Sequence, residues 1–286
     1  MPELPFLEVL AENLASRVSG RRIESIRIRQ PALLQTSTPS PESFVGEFLS
    51  LPGRVGKYLI LETESRRAIV LHLMRAGRLL VSPATKSTTA LPKHCSARIT
   101  FDDGTRLDLV EHGKEKRARL WLAEDPADVP ELGRLGPDPS RGELTYERLR
   151  SAMDAASRQL KTFLTDQRVI AGIGNGLSDE ILYEARLSPM RLTGSLTEPE
   201  ARALHVALLA VVAAQTEKLR ESTAGELPQK EPREHYRVHD QAGATCPRCG
   251  TTIARVSFAD HELFYCPGCQ TGGKPLKDRR LSKLLK

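Results

Sequence analysis

The first 124 residues combine one helical apolar pattern with several strand-like ones. Apolar residues recur at helical spacing between Pro5 and Gly20 and predict an amphipathic helix. Short apolar runs then predict strands at residues 23–28, 55–61, 68–74, 97–101, 106–110 and 119–122, with a hairpin turn at Asp102-Asp103-Gly104. One helix followed by regularly spaced strands favours a β-sandwich or small barrel over alternating βαβ units.

The second half of the chain has mainly helical patterning. Residues 125–141 contain four prolines and little apolar periodicity, which indicates a linker. Helical spacing returns at 145–164, 179–185 and 198–219, the last preceded by a Thr197-x-x-Glu200 capping box, and the polar stretch 221–242 predicts a flexible connection. We therefore divide the chain into an N-terminal domain (1–130), a linker (131–144), a helical domain (145–235) and a C-terminal module (236–286).

Composition narrows the class of protein. At 286 residues the chain is long enough for about two domains, and it has no run of ~20 apolar residues and no basic, apolar secretory start. We expect a soluble cytoplasmic protein with no membrane partner. The net charge of +6 favours polyanionic partners slightly. Six of the last thirteen residues are basic, and this segment is either a solvated tail or a phosphate-contacting arm.

Four of the five cysteines form two C-x-x-C pairs, Cys246/Cys249 and Cys266/Cys269, with sixteen residues between them. This spacing is typical of a four-thiolate Zn²⁺ site on a hairpin, and four thiolates would close the coordination sphere of one structural zinc. Disulfides are the competing interpretation, and the absence of a secretory signal disfavours them. Cys95 stands alone and is expected to be a small core residue.

Pro2 is the first candidate for chemistry. If the initiator methionine is removed, Pro2 carries a secondary amine that titrates closer to neutral pH than any lysine and can attack an anomeric carbon. Glu3 could then transfer protons. The alternative is that Pro2 and Glu3 are an ordinary, solvated chain start.

Two further motifs suggest phosphate binding. Glycines in Val169–Gly176 allow a tight turn whose N–H groups, with the Asn175 amide, could hold a phosphate at a helix N-terminus. The turn lacks the Lys-Ser/Thr of a P-loop, so we expect no nucleotide cofactor. Lys57, in Arg54-Val55-Gly56-Lys57-Tyr58, could reach a phosphate or only solvent.

Five motifs in this order resemble the formamidopyrimidine-DNA glycosylase and endonuclease VIII family. They are Pro2-Glu3-Leu4-Pro5, Gly56-Lys57-Tyr58-Leu59, Leu135-Gly136-Pro137, Asp166 to Glu180 with Gly174-Asn175, and Phe264-Tyr265-Cys266-Pro267-x-Cys269-Gln270. The resemblance implies an α+β multidomain fold: an N-terminal helix plus β-sandwich, then a helix-two-turn-helix domain with a C-terminal β-hairpin zinc finger. It also implies that DNA lies in a basic cleft between the domains.

The resemblance assigns roles to individual residues. Pro2 becomes the Schiff-base nucleophile and Glu3 its proton-transfer partner, acting on an extruded nucleotide. Cys246, Cys249, Cys266 and Cys269 become zinc ligands. The expected DNA-binding residues are Lys57, His72 and Asn175 on phosphates, Met74 and Arg75 at the void-filling positions, and His261 at the hairpin tip.

The chain departs from the family pattern at four places. Three positions after His72, where the formamidopyrimidine branch has a methionine, this chain has Arg75, with Met74 one step earlier. His261 stands where an arginine usually clasps phosphates, and Phe6 stands where a glutamate is usual. The loop that usually supplies an arginine and an aromatic wedge is replaced by residues 113–119, which are basic and contain no aromatic. That loop either attracts phosphates or is a solvated hairpin tip.

The functional prediction follows from the intact Pro2-Glu3 start. We expect a monomeric, bifunctional DNA glycosylase and AP lyase of base-excision repair, located in the bacterial cytoplasm with the nucleoid. Its partner is expected to be double-stranded damaged DNA. The alternative is a damage- or structure-specific DNA-binding protein on the same scaffold, with lyase activity only or none.

Overall fold

The computed structural model describes residues 1–84, 91, 93–113, 115–231, 233–257 and 262–276. The chain forms two compact units. The first contains Met1–Arg134 and Leu219–Glu231, and the second contains Leu135–Lys218 and Pro232–Lys286.

The first unit begins with helix α1 (Leu4–Val18). Pro5 lies in its first turn, where a missing N–H costs nothing, and Ser19 ends it in an extended conformation. Leu7, Leu10 and Leu14 are almost completely buried. The helix is therefore held by the core of this unit along most of its length.

Two four-stranded antiparallel sheets share that core. The strands are β1 (Ile23–Ile28), β2 (Gly53–Val55), β3 (Tyr58–Glu62), β4 (Ala68–His72), β5 (Gly77–Ser82), β6 (Cys95–Phe101), β7 (Arg106–Glu111) and β8 (Arg119–Ala123). One sheet has the order β1-β6-β7-β5 and the other the order β2-β3-β4-β8. Side chains of both sheets and α1 form a single apolar cluster, which confirms the predicted helix plus β-sandwich.

The structure corrects two strand predictions. The segment 55–61 is not one strand, because Gly56 adopts a left-handed conformation (φ +55°) and turns the chain between β2 and β3. Strand β5 was not predicted, although it pairs with β7 over six residues. Its weaker pattern includes the exposed Leu80.

The second unit is mainly helical. Its helices are α2 (Tyr146–Ala155), α3 (Leu160–Thr165), α4 (Asn175–Glu184) and α5 (Glu198–Thr223), of which α5 continues beyond Lys218 into the first unit. The predicted helix over 145–164 is wrong at its centre, because Ala156 is extended and separates α2 from α3. Glu200 accepts the N–H of Thr197 at 2.8 Å, as the predicted capping box requires.

A hairpin and a short helix complete the second unit. Strands β9 (Ala254–Ser257) and β10 (Glu262–Tyr265) pair in antiparallel register, and α6 (Pro267–Thr271) follows. This arrangement confirms the predicted helical domain with a C-terminal β-hairpin module. No helix among the described residues has the length and apolar character needed to cross a membrane.

Residues 219–231 differ from the sequence prediction, which placed them in the helical domain and expected a flexible connection from residue 221. They pack within the first unit. Arg220 forms an ion pair with Glu12 of α1 at 2.7 Å, and Arg17 forms one with Glu226 at 2.9 Å. Polar composition suggested a linker because most side chains of this segment are polar, although Leu219 is buried in the apolar cluster of the first unit and Leu227 packs against it.

Candidate functional site

Pro2 and Glu3 are buried at the start of α1. Glu3 is the N-cap residue, and its carbonyl accepts the N–H of Leu7 at 3.1 Å. The amino group of Met1 lies 3.3 Å from the Glu231 carboxylate. Because the core holds α1, the place where a Pro2 amine would form after removal of Met1 is fixed by the fold.

Position 6, next to this chain start, carries an aromatic ring. The Arg78 guanidinium lies 5.9 Å from the centroid of the Phe6 ring and donates to the carbonyl of Gln229. Burial lowers the pKa of Arg78, and the charge of Glu231 opposes that effect. The surroundings of residue 6 are therefore apolar and cationic.

Arg54 links α1 to the turn that carries Lys57. Its side chain is almost completely buried, and its Nε donates to Glu8 at 2.6 Å while Nη1 donates to the Gly56 carbonyl at 3.2 Å. Lys57 is itself only 5% exposed. One buried guanidinium thus fixes the Gly56-Lys57 turn relative to the helix that follows Pro2.

His72 lies at the end of β4, beside this turn. Burial and the positive charges of Lys57 and Arg119 lower its pKa to about 4. Its Nδ1 accepts the backbone N–H of Met74 at 3.2 Å, an assignment that follows from the hydrogen-bond network. The imidazole is therefore neutral at physiological pH, with Nε2–H as the donor it can offer a ligand.

Met74 and Arg75 lie in the turn between β4 and β5. Met74 has φ +52°, a left-handed conformation that is strained for a residue with a long side chain. A Cβ at Gly77 would lie 2.5 Å from the Leu73 carbonyl, so only glycine allows the turn to close this tightly. The turn leaves Arg75 exposed.

Glu111 shapes the loop at 113–119. It is 1% exposed, and Oε1 accepts the backbone N–H groups of Arg117 and Ala118, each at 2.9 Å. Its other oxygen accepts the Ser96 hydroxyl at 2.8 Å. Lys114 lies outside the described residues.

In the second unit, the glycine turn ends at Gly174, and Asn175 is the first residue of α4. The turn is held by Gln167, which donates to the Ile173 carbonyl at 2.7 Å and accepts the Gly172 N–H at 3.0 Å. The Asn175 amide donates to the Glu262 carbonyl of β10 at 2.8 Å. The side chain of Asn175 therefore joins the helix N-terminus to the hairpin.

A buried charge network lies under this helix N-terminus. Lys161 donates to Asp179 and to the Asn175 carbonyl, both at 2.6 Å, and Asp179 is wholly buried. His239 Nδ1 lies 2.7 Å from the other Asp179 oxygen. Burial lowers the pKa of His239, but the hydrogen bond to Asp179 and its charge outweigh burial and raise that pKa above its usual value.

The four predicted zinc ligands come together. The Sγ atoms of Cys246, Cys249, Cys266 and Cys269 all lie within 4.8 Å of one another. Two of the separations are 3.4 and 3.9 Å, close to the ~3.8 Å edge of a tetrahedron with Zn–S bonds of ~2.3 Å. The donor set and its geometry therefore fit one zinc ion with no open coordination position.

The zinc ligands are also tied to α4. The hydroxyl of the buried Tyr183 lies 3.4 Å from Cys246 Sγ. Arg248 stacks on the Tyr183 ring at 4.2 Å and donates to Glu184 at 2.7 Å. Cys95, by contrast, is buried in the first unit, where burial raises the pKa of its thiol to about 11.

Three family models match the chain in sequence. The formamidopyrimidine-DNA glycosylase N-terminal domain matches residues 1–114, and the formamidopyrimidine-DNA glycosylase H2TH domain matches residues 135–224. The zinc finger found in FPG and IleRS matches residues 243–272.

Relatives also match this chain along almost their whole length. Formamidopyrimidine-DNA glycosylases of Chloroflexus aurantiacus and Carboxydothermus hydrogenoformans are 32% and 33% identical over 94% of this chain and 98% and 100% of their own. The chain belongs to the formamidopyrimidine-DNA glycosylase family.

Solved structures of this glycosylase family have the same fold as this chain. Lactococcus lactis Fpg in complex with an abasic site containing DNA has a TM-score of 0.84 and 25% identity, over 94% of this chain and 99% of that one. MutM in complex with carbocyclic 8-oxo-G containing DNA has a TM-score of 0.83 and 25% identity, over 94% and 100%. Family membership and the cysteine geometry together establish one structural zinc, held by the four cysteines.

The structural roles of several charged residues of this glycosylase were not predicted from the sequence. Arg54, Glu111, Lys161 and Asp179 are charged but buried, and hydropathy patterns treat such residues as surface. Some of their partners lie far away in the sequence, 46 positions for Arg54 with Glu8 and 60 positions for Asp179 with His239. Of the predicted site residues, His261 lies outside the described residues, as do the last ten residues of the basic tail.

Proposed function

We propose that this DNA glycosylase of base-excision repair, which also has AP lyase activity, uses the amine of Pro2 as its nucleophile. The amine attacks C1′ of an extruded nucleotide, so that an N–C1′ bond forms and the modified base leaves with the bonding electron pair. Loss of the amine proton and opening of the sugar ring give an iminium, and Glu3 donates the proton that O4′ takes up. Removal of a C2′ proton by a base then gives an enamine, whose electron pair expels the 3′-phosphate as the C3′–O bond breaks.

The observation that supports this assignment best is the Arg54 linkage. Pro2 precedes a helix buried in the sandwich core, and Arg54 joins that helix, through Glu8, to the turn that carries Lys57. A nucleophile and a phosphate-binding group are thereby held in fixed relation before DNA arrives. Preorganisation of this kind contributes to catalysis because no ordering is needed during the reaction.

DNA binding would involve groups from both units. In the first, Lys57 and His72 would contact phosphates, while Met74 and Arg75 would fill the space left by the extruded nucleotide. In the second, the N-terminus of the ten-residue helix α4 at Asn175 would bind a further phosphate through backbone N–H groups. Since its substrate is chromosomal DNA, we place the protein in the bacterial cytoplasm with the nucleoid.

A Pro2→Gly variant tests the nucleophile. Tag-free protein, shown by mass to begin at residue 2, is incubated with an abasic duplex and borohydride, which traps an iminium covalently. We expect P2G to lose most of the trapped adduct while retaining DNA affinity. Pro41→Gly, at the start of a surface 3-10 turn in the same unit, is the matched control and should trap as wild type. Full trapping by protein with an added residue before Pro2, whose terminal amine is then not on residue 2, would exclude this mechanism.

A second candidate function is damage recognition without base removal. The Phe6 ring, which lies against the Arg78 guanidinium, supports this candidate function because residue 6 then provides no carboxylate near the proposed nucleophile. Duplexes with an abasic site, 8-oxoguanine, a formamidopyrimidine or an oxidised pyrimidine separate the two functions. Tight binding with no trapped adduct on any duplex would favour this candidate, and adducts on base-containing duplexes would favour the glycosylase.

A further inference from the structure

Arg119 lies in a cross-strand row at one end of the sheet β2-β3-β4-β8. It is the first residue of β8 and is paired in register with His72 of β4. The ring of Tyr58, at the start of β3, lies 4.8 Å from the His72 ring. Directly opposed residues of neighbouring strands project from the same face of a sheet, so these three side chains share one face.

The positive charge of Arg119 affects the pKa values of the other two side chains in this row. Burial lowers the pKa of His72, and the positive charges of Lys57 and Arg119 lower it further. Burial raises the pKa of Tyr58, and the charge of Arg119 opposes that rise. Glu131 is the acidic group that acts on Tyr58 from the segment after β8. His72 is therefore exposed to the positive charges of both Lys57 and Arg119.

The guanidinium of Arg119 is available for a ligand. Arg119 is exposed, and within the described ranges its side chain makes no hydrogen bond or ion pair. Nearby, His72 offers a neutral Nε2–H, since its Nδ1 is occupied by the N–H of Met74. The planar guanidinium of Arg119, the neutral Nε2–H of His72 and the ammonium group of Lys57 together suit a singly charged anion with two free oxygens.

We propose that Arg119 is a DNA phosphate-binding residue, which forms one phosphodiester site together with His72 and Lys57. This inference rests on the proposed function. It selects one cation from the basic loop 113–119, for which the sequence left phosphate attraction and solvation open, in the first unit of a chain that has histidine in place of the arginine usual at residue 261. Because His72 stays neutral, the site keeps its charge throughout the physiological pH range.

The salt dependence of DNA binding tests the proposal. Neutralising one phosphate contributes a slope of about −0.9 to log K against log[salt], which amounts to roughly tenfold in affinity at 0.1 M salt. We therefore expect Arg119→Gln to weaken binding roughly tenfold, and to reduce the slope by about one, on a duplex containing a tetrahydrofuran abasic analogue. R119K should keep the slope and lose only part of the affinity, because it retains charge but not the fork.

Arg66→Gln is the matched control. Arg66 is an exposed arginine just before β4, at the opposite end of that strand from His72, and it is paired with Asp125. R66Q removes the same charge and should leave the slope unchanged. Equal slopes for R119Q and R66Q would overturn the proposal, even if wild-type protein binds and traps DNA normally. Absence of wild-type binding to any damaged duplex would instead refute the proposed function, and the Arg119 site with it.

Discussion

Removal of the Lys161 amine should destabilise the second unit strongly. Asp179 is wholly buried, and Lys161, whose side chain is 7% exposed, donates to one of its oxygens at 2.6 Å. A Lys161→Met variant would leave that carboxylate buried with one fewer positive partner. Breaking a buried pair from one side costs about 3–5 kcal/mol. We expect about 3 kcal/mol, because His239 still faces the other oxygen.

The assay is urea unfolding monitored by circular dichroism, together with amide hydrogen exchange in α4. The control is Arg150→Gln, which breaks the exposed Arg150–Asp154 ion pair in the same unit and should cost no more than about 0.5 kcal/mol. A double variant, K161M with Asp179→Asn, removes the unpaired charge and should recover much of the loss. If K161M lowers the free energy of unfolding by no more than R150Q does, the argument that this network holds the α4 N-terminus is wrong.

Three further predictions concern the zinc ligands, pH and the N-terminal helix. Tyr183→Phe removes a hydroxyl next to a zinc thiolate and should speed zinc release to a chromogenic chelator about tenfold, whereas Tyr146→Phe should not; equal release rates would contradict the contact. The pKa of His72 is about 4 in the folded protein and about 6.5 when unfolded, so the folded state binds fewer protons between these values. Stability should therefore fall by up to about 3 kcal/mol as the pH drops from 6.5 to 4, and less in H72Q; identical pH profiles would refute the assignment. Arg54→Met should cost about 2 kcal/mol in urea unfolding followed by tryptophan fluorescence, and a neutral effect would show that Arg54 does not hold the Lys57 turn.

The chemistry of this protein could be predicted from the sequence where it depends on residues close together in the chain. The zinc site follows from two C-x-x-C pairs, and the glycine turn before Asn175 follows from local backbone freedom. The start of α1 follows from Pro5 and helical spacing. Each of these features is encoded within at most about 25 consecutive residues.

Features that depend on contacts between distant residues could not be predicted. Arg54 and Asp179 resemble surface residues in sequence, yet both are buried by partners brought together only in the fold. The segment 219–231 was expected to continue from the helical domain into a flexible connection, because its composition is mostly polar. Its packing depends on two isolated apolar residues, Leu219 and Leu227, and on ion pairs with α1, which together give no apolar periodicity. The row formed by Tyr58, His72 and Arg119 exists only once the strand order β3-β4-β8 is known.

The most direct test of the central claim is to locate the covalent adduct. Tag-free wild-type protein that begins at Pro2 is trapped with borohydride on an abasic duplex, digested, and analysed by mass spectrometry to find the peptide that carries the sugar. The account predicts that the adduct lies on the nitrogen of Pro2. An adduct on a lysine, or no adduct while DNA binding is intact, would contradict it.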